Sequence, residues 1–363
     1  MDAIFNMYKV RFDKLDALFD QMEHGLKPGD TVNVYLNLEM VLKTLLNRDV
    51  EQYVQVRPDD KHQEFIANVL NFIAHYRLFF TKNKLKSRIF LYVNDVESSY
   101  FRNQVSIPTY RQFFKDKLTV RNHRSHFVRL LTHTFKHIET IAEYIEDVHF
   151  IRTREIEPSL VPLFVMREMD KPAEMQFIVS NDRYDYQYAL HGAYILRPKK
   201  EHSYIVHEQN LWRLVKLEEK LVNDVELPPS FYPVVLAMLG DKYRNIPKIK
   251  GVGLFALMKI LRKALDAHQI TESMNSVHAI ANAMTEKLRP MLIENSYATD
   301  LHLQYLVLTT VDRMNLEKKF VNRFDNVGLK AINENYFADT PIMLIELTSA
   351  PASHRKPTKN IFY

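Results

Sequence analysis

The sequence of 363 residues contains no cysteine, and only seven of its residues are glycine. The absence of cysteine excludes disulfides and thiolate metal sites, and it suits the reducing cytoplasm, where we expect the protein to reside. No apolar run approaches the length of a membrane span, and the charged N-terminal residues lack a signal-peptide core. We therefore expect no membrane partner. Fifteen histidines are present, but we identify no pair of histidines with carboxylates at metal-ligand spacing.

The composition fits a globular protein with a mildly basic surface. Apolar residues make up 46% of the chain, which is ample for a packed core. There are 49 lysines and arginines against 44 aspartates and glutamates, so the formal net charge is +5. This small excess permits a polyanionic partner without requiring one.

Hydrophobic periodicity divides the chain into four segments. Residues 1–30 carry apolar side chains at helical spacing before Gly25, which predicts an N-terminal helical extension. Residues 31–210 alternate short apolar runs with helical patterns, the arrangement of βα units around a largely parallel sheet. Residues 211–347 are almost wholly helical in pattern, and residues 348–363 form a polar tail. The predicted strands are Thr31–Leu38, Ile89–Val93, Val148–Ile151, Met175–Val179 and Ala193–Leu196, and a helix is predicted from Gln63 to Phe80.

Three of the seven glycines, Gly240, Gly251 and Gly253, lie close together. We predict that a helix ends at Gly240, that an Asn-Ile-Pro turn reverses the chain, and that Gly251-Val-Gly253 opens a helix over 254–265. Free backbone N–H groups at such a helix start suit a phosphate, and Lys248 and Lys250 stand beside it. The alternative is an ordinary helix-turn-helix corner whose glycines serve only the turn.

This segment resembles the helix-three-turn-helix of the 5′-nucleases, the superfamily that holds flap endonucleases and bacteriophage 5′-exonucleases. Further matches follow in the family's order over about residues 31–265. Ser180-Asn-Asp182-Arg-Tyr-Asp-Tyr-Gln187 is similar to the family's Ser-Gly-Asp-Lys-Asp-x-x-Gln box. Asp95 at a strand end, with Phe101-Arg102 after it, and Glu157 also match family positions.

The resemblance implies a fold and an activity. The expected fold is α/β: a PIN-like, largely parallel sheet flanked by helices, then a helix-three-turn-helix and a helical C-terminal lobe. Members of the family grip the backbone of duplex DNA without reading its sequence, often with a bound monovalent cation. They hydrolyse phosphodiesters with two divalent ions, Mg²⁺ or Mn²⁺, held by clustered carboxylates.

This sequence keeps only part of that carboxylate cluster. Asp95, Glu157 and Asp182 match metal ligands, so one Mg²⁺ or Mn²⁺ ion is expected, and Asp241 matches the first acid of the turn. Neutral or basic residues replace the other acids, with Asn37, Ser159, Tyr184 and Arg244 among them. Asp185 is displaced by one position, and the sequence leaves open whether it faces inward.

Arg244 reverses the charge at a position where the family has a metal-binding aspartate. Its guanidinium could offset Asp182 or Asp241 as a fixed substitute for a cation. The alternative is an arginine on an exposed turn.

Cations and aromatic side chains are interleaved between Phe101 and Arg129, where the family places an arch over the active site. Such a mixture is what a single-strand channel needs, with cations for phosphates and rings for unstacked bases. The alternative is a helix whose rings face the core and whose charges face water. The candidate nucleic-acid-binding arginines of this stretch are Arg102, Arg111, Arg121 and Arg124.

Two functional hypotheses follow, with a third behind them. The first is a sequence-independent, structure-selective protein that binds duplex, branched or 5′-flap DNA and has lost or reduced nuclease activity. It would serve replication, repair or transcription, with proteins of those processes as partners, in the host cytoplasm if the source is a bacteriophage. The alternative is an active Mg²⁺- or Mn²⁺-dependent 5′-exonuclease or flap endonuclease that uses Asp95, Glu157 and Asp182 with the displaced Asp185. The third is an interaction subunit that no longer binds DNA.

Overall fold

The computed structural model describes sixteen stretches of the chain. They are residues 12–22, 25–38, 70, 72–94, 135–143, 145–153, 158–168, 173–198, 203–222, 225–241, 246–248, 253–271, 280–281, 286, 289–306 and 308.

The described strands form one mixed sheet in the order β3-β2-β1-β4-β5-β6. All neighbouring pairs are parallel except β5 and β6, which are antiparallel. The predicted α/β fold with a largely parallel sheet is confirmed, and β6 was not predicted. The strand bounds are Thr31–Asn37 (β1), Lys86–Asn94 (β2), Val148–Thr153 (β3), Met175–Val179 (β4), Tyr194–Arg197 (β5) and Tyr204–Val206 (β6).

Helices flank the sheet and follow it. The predicted N-terminal helix is present as α1, and the pattern over 63–80 corresponds to helical residues 72–82 (α2). Residues 135–143 (α3) are also helical. The remaining bounds are Phe12–Asp20 (α1), Val161–Glu168 (α4), Leu211–Glu218 (α5), Tyr232–Leu239 (α6), Leu254–Asp266 (α7), Arg289–Thr299 (α8) and Leu301–Leu306 (α9). Among the described residues, no helix is long and apolar enough to cross a membrane.

The sheet separates two hydrophobic cores. On one face, alternate strand residues such as Val34 and Phe177 pack with α1, α2 and α3, and we call this cluster the N-terminal core. On the other face, Tyr35 and Ile178 pack with α4 to α9, and we call this cluster the C-terminal core. Because both faces are buried, apolar side chains occupy consecutive strand positions, as expected for parallel sheets.

A polar cluster lies within the C-terminal core, on the amino-terminal half of the central strands. Asn33 is almost fully buried and donates to Gln176 Oε1 at 3.2 Å, while Tyr35 donates to the same oxygen at 2.6 Å. Arg88 in turn donates to Asn33 Oδ1 at 3.1 Å. These bonds join β2, β1 and β4 through side chains and satisfy polar groups that would otherwise be costly to bury.

His149 on β3 supplies a titratable group beside this cluster. Its ring stacks on Phe90 at a centroid distance of 5.0 Å, and burial lowers the pKa of His149 from 6.5 to about 4. Between these two pH values the unfolded chain binds more protons than the folded chain. Stability contributed by the neutral ring is therefore present above pH 6.5 and is lost as the pH falls.

We predict that His149→Phe keeps the ring stack and removes this proton linkage. As the pH falls, the free energy of unfolding should then decrease less steeply for the variant than for the wild type. The two slopes should differ by up to about 1.4 kcal/mol per pH unit. Urea unfolding between pH 4 and 6.5 measures the difference from wild type. The control is His268→Asn at an exposed left-handed position with φ of 54°, which asparagine tolerates. Equal pH slopes for wild type and His149→Phe would contradict the prediction.

Candidate functional site

The carboxyl edge of the sheet contains a topological switch point between β1 and β4. From β1 the chain adds β2 and then β3 on one side, whereas β4 and β5 lie on the other side. Connections leave β1 and β4 in opposite directions, and in open α/β sheets this divergence creates a crevice that binds ligands. The residues at this point are Asn37 at the end of β1 and the segment from Ser180 that follows β4.

A tight turn after β4 places two aspartates around one serine, Asp185 through its carboxylate and Asp182 through its backbone N–H. Ser180 is buried, donates its hydroxyl proton to Asp185 Oδ2, and accepts the Asp182 N–H at 3.0 Å. Asp182 caps the following 3₁₀ helix, Arg183–His191, by accepting the Tyr184 N–H at 3.0 Å. The side chain of Asp185 is only 1% exposed. The orientation that the sequence left open is thus settled, because Asp185 faces inward.

Neutral hydroxyl groups occupy the neighbouring strand ends. Tyr92 lies opposite Asn37 in the register of β1 and β2, and Thr153 ends β3. Their hydroxyl oxygens are buried and have no hydrogen-bond partner among the described residues. Burial raises the pKa of Tyr92 well above its ordinary value, and the charges of Asp185 and Asp182 raise it further. The phenol is therefore held neutral beside the two aspartates.

Of the three predicted metal ligands, the structure places only Asp182. Asp95 and Glu157 lie outside the described residues. Within the described part of the chain, no three acidic or histidine side chains lie close enough to hold a metal ion together. The chemistry of the donors still fits a divalent ion, because Asp182 and Asp185 offer the hard oxygen atoms that Mg²⁺ and Mn²⁺ prefer.

The predicted helix-turn-helix is present between α6 and α7. Helix α6 ends at Gly240, whose φ of 61° and ψ of −174° are accessible essentially to glycine alone. Asp241 and Ile246 then exchange two backbone hydrogen bonds of 2.9 Å. A Cβ atom on Gly240 would lie 2.5 Å from the Ile246 carbonyl oxygen and 2.7 Å from Lys248 N. Glycine is required here because the turn passes directly over it.

Two of the predicted backbone-binding residues lie in the described part of this element. Lys248 is exposed, and Gly253 precedes α7, whose first turn contains no acidic residue. The absence of acid there leaves the positive end of the helix dipole uncompensated. Lys250, Gly251 and Arg244 lie outside the described residues, as do the arginines of the arch segment, Arg102, Arg111, Arg121 and Arg124.

Side-chain hydrogen bonds join the Ser180 turn to the C-terminal helices. Arg183 donates to the Gly240 carbonyl at 3.3 Å, and Tyr232 on α6 donates to the Arg183 carbonyl at 2.8 Å. Gln187 donates to the Thr299 carbonyl at 2.8 Å and accepts the Leu301 N–H at 3.1 Å, so it bridges α8 and α9. The two parts of the candidate site are therefore packed against each other.

Sequence reasoning missed one residue of this assembly, Asn295 on α8. It is 2% exposed and donates to the carbonyl oxygens of Ala237 and Pro247. The only local signal was a polar residue in a helical pattern, which gives no indication of its distant partners.

The largely parallel sheet with this switch point, followed by a glycine-dependent helix-turn-helix, is the arrangement expected from the sequence for a 5′-nuclease fold. Solved structures agree with this assignment. The chain is similar to bacteriophage T5 5′-exonuclease with bound zinc ions, with a TM-score of 0.54, 13% identity, and coverage of 84% of this chain and 99% of that one.

Two other structures from bacteriophage T5 agree. A T5 protein co-crystallised with metal ions gives a TM-score of 0.52, 13% identity, and coverage of 84% and 98%. A T5 flap endonuclease variant, in a complex with DNA and metal ions, gives 0.50 with the same identity and coverage. No family model and no curated protein matches the sequence. The α/β, PIN-like 5′-nuclease fold predicted from the sequence is confirmed.

We predict that Ser180→Ala destabilises the protein by about 1–3 kcal/mol, because it leaves the buried Asp185 carboxylate without its serine donor. Urea unfolding at neutral pH measures the loss. Thr140→Ala is the matched control, since its hydroxyl donates to the Lys136 carbonyl on an exposed helix surface. A loss for Ser180→Ala no larger than that of the control would show that the buried bond is not stabilising.

Proposed function

We propose that this chain is a sequence-independent, structure-selective DNA-backbone-binding protein on a 5′-nuclease scaffold, with lost or reduced nuclease activity. Duplex, branched or 5′-flap DNA would be its ligand. The T5 flap endonuclease in complex with DNA supports a DNA ligand for this fold. Proteins of replication or transcription are the partners we propose, in the cytoplasm of the cell or of a viral host.

The observation that carries the DNA-binding proposal is the geometry around Gly240. Close passage of the turn over this glycine fixes the main chain at Lys248, on the exposed side of the element. An exposed ammonium group beside a helix start without acidic residues favours an anion. Such contacts read phosphates and not bases, so they position DNA without selecting a sequence.

Reduced activity is supported by the neutral residues of the carboxyl edge. Asn37 ends β1 where the family has an aspartate. Tyr92 lies opposite it on β2, and Thr153 ends β3, the next strand along the sheet. When bound, two divalent ions would polarise the phosphate and generate a hydroxide. Fewer carboxylates attract fewer such ions, so we propose a single weak Mg²⁺ or Mn²⁺ site at Asp182 with Asp95 and Glu157.

The position of Asp185 favours the alternative, an active Mg²⁺- or Mn²⁺-dependent 5′-exonuclease or flap endonuclease. This aspartate faces inward beside Asp182, so a ligand displaced by one position in sequence is close to the pocket in space. The Ser180 hydroxyl donates to Asp185 Oδ2 and would orient this carboxylate. We also propose that Arg244 is a fixed substitute for a cation near Asp182 or Asp241. A monovalent cation is proposed to bind at the turn between α6 and α7.

We predict that DNA binds without divalent ions, independently of sequence, and with an affinity that falls steeply as salt rises. The double variant Lys248→Glu/Lys250→Glu should weaken binding by about tenfold or more, because it replaces two cations of the proposed DNA-binding turn with anions. Fluorescence anisotropy with a labelled 5′-flap DNA in EDTA measures the affinity. Hydrolysis of the same DNA with Mg²⁺ or Mn²⁺ separates the two functions, since cleavage that depends on Asp182 and Asp185 would favour the active nuclease.

The control for this experiment is a double charge reversal on the opposite side of the sheet. Lys14 and Lys27 are exposed and lie on or near α1, which packs on the N-terminal core. Lys14→Glu/Lys27→Glu changes the net charge by the same amount. If both double variants lost equal affinity, binding would reflect net charge and not the helix-turn-helix.

We predict that Mn²⁺ binds at the carboxyl edge with a dissociation constant of about a millimolar, as expected for a sparse, solvated oxygen site. Asp182→Asn should abolish the binding. Crystals soaked in Mn²⁺ test this by anomalous scattering, with Asp266→Asn as the control because that carboxylate pairs with Arg262 on the surface of α7. The absence of an anomalous peak at Asp182 in the wild type would exclude the site.

A further inference from the structure

Helix α8 packs behind the helix-turn-helix and contributes a single buried amide to it. The Asn295 side-chain nitrogen lies 2.7 Å from the Ala237 carbonyl oxygen and 2.7 Å from the Pro247 carbonyl oxygen. Both partners are acceptors, so the NH₂ end of the amide must face them. One side chain therefore uses both of its donor hydrogens on two separate segments of the main chain.

The two carbonyl groups belong to the two ends of the turn. Ala237 lies in the last turn of α6, where carbonyl groups lack partners within the helix. Pro247 follows the bridge between Asp241 and Ile246, and its carbonyl carbon would lie 2.7 Å from a Cβ atom on Gly240. Asn295 thus ties the end of α6 to the chain that crosses over it.

The Pro247 bond also determines the orientation of the next residue. The Pro247 carbonyl and the Lys248 N–H share one planar peptide group and point in opposite directions. Because Asn295 holds the carbonyl toward α8, the Lys248 N–H points away from α8. Among the described residues no hydrogen bond is made by this N–H, and the residue is exposed.

We propose that Asn295 is the positioning residue of the backbone-binding turn, acting through the Pro247–Lys248 peptide plane. It presents the Lys248 N–H and ammonium group together to one phosphate. The backbone N–H and the ammonium group of Lys248 then donate to the same phosphate. A charge-assisted hydrogen bond is thereby reinforced by a backbone hydrogen bond. This inference rests on the proposed DNA-binding function and adds a residue that cannot touch the DNA itself.

The test is a double-mutant cycle read out as the salt dependence of DNA affinity in EDTA. Lys248→Ala should reduce the slope of log K against log salt by about one, the value for one lost phosphate contact. Asn295→Ala removes no charge but should reduce the slope by a similar amount. The double variant should match Lys248→Ala, because the two residues serve the same contact.

A stability control separates positioning from general loss of structure. Ile138→Ala creates a cavity in the N-terminal core, where Ile138 is fully buried, and lies on the other side of the sheet. It should lower the melting temperature and leave the salt slope unchanged. All affinities are measured well below the lowest melting temperature. Should Asn295→Ala fail to fold, Asn295→Ser keeps one donor and is read out in the same way.

The outcomes distinguish this inference from the function on which it rests. A normal salt slope for the Asn295 variant, or an additive effect with Lys248→Ala, overturns the positioning role and leaves the DNA-binding function intact. If Lys248→Ala itself has no effect on binding, the proposed backbone grip fails and this inference fails with it. A shared loss of slope that is absent from Ile138→Ala supports the positioning role.

Discussion

The arrangement of the molecule depends on hydrogen bonding along both edges of β1. This strand is parallel to β2 on one side and to β4 on the other, so three strands end at the same edge of the sheet. The connections that leave β1 and β4 diverge there, and the space between them receives Asn37 and the Ser180 turn. The position of the Ser180 turn at this edge is therefore a consequence of strand order. The chemistry of the edge is set by the side chains that occupy the strand ends.

Hydrogen bonds join the Ser180 turn to the turn that follows α6. Arg183 follows Asp182 directly and bonds the carbonyl of Gly240, where the turn begins. Gln187, in the same 3₁₀ helix, holds the junction of α8 and α9. A displacement of the turn would thus be transmitted to the segment that carries both aspartates, through the hydrogen bonds of Arg183 and Tyr232.

Much of the sheet was predictable because buried parallel strands have a strong local signal. The run Met175–Val179 is β4 at the predicted bounds, and β1 ends one residue before the predicted limit. Strand β6 was missed because its three residues are too few to show alternation. Asp182 was predicted as a metal ligand because its segment resembles a 5′-nuclease box at a strand end, and the structure places it after β4. The orientation of Asp185 could not be predicted, because it depends on a 3₁₀ helix that the alternating pattern does not reveal. Asn295 could not be found, since its partner Pro247 is 48 residues away in sequence.

Because the interior is divided into two cores, the central strands of this fold cannot readily gain or lose a residue. Successive residues of β1 serve opposite faces, with Val34 in one core and Tyr35 in the other. Deleting or inserting one residue within β1 would exchange the faces, so that Asn33 and Tyr35 would leave their polar partners and enter an apolar cluster. Such a strand tolerates substitutions that preserve side-chain volume, but it does not tolerate a shift of one residue in register. Insertions and deletions among distant relatives should accordingly collect in the connections between strands.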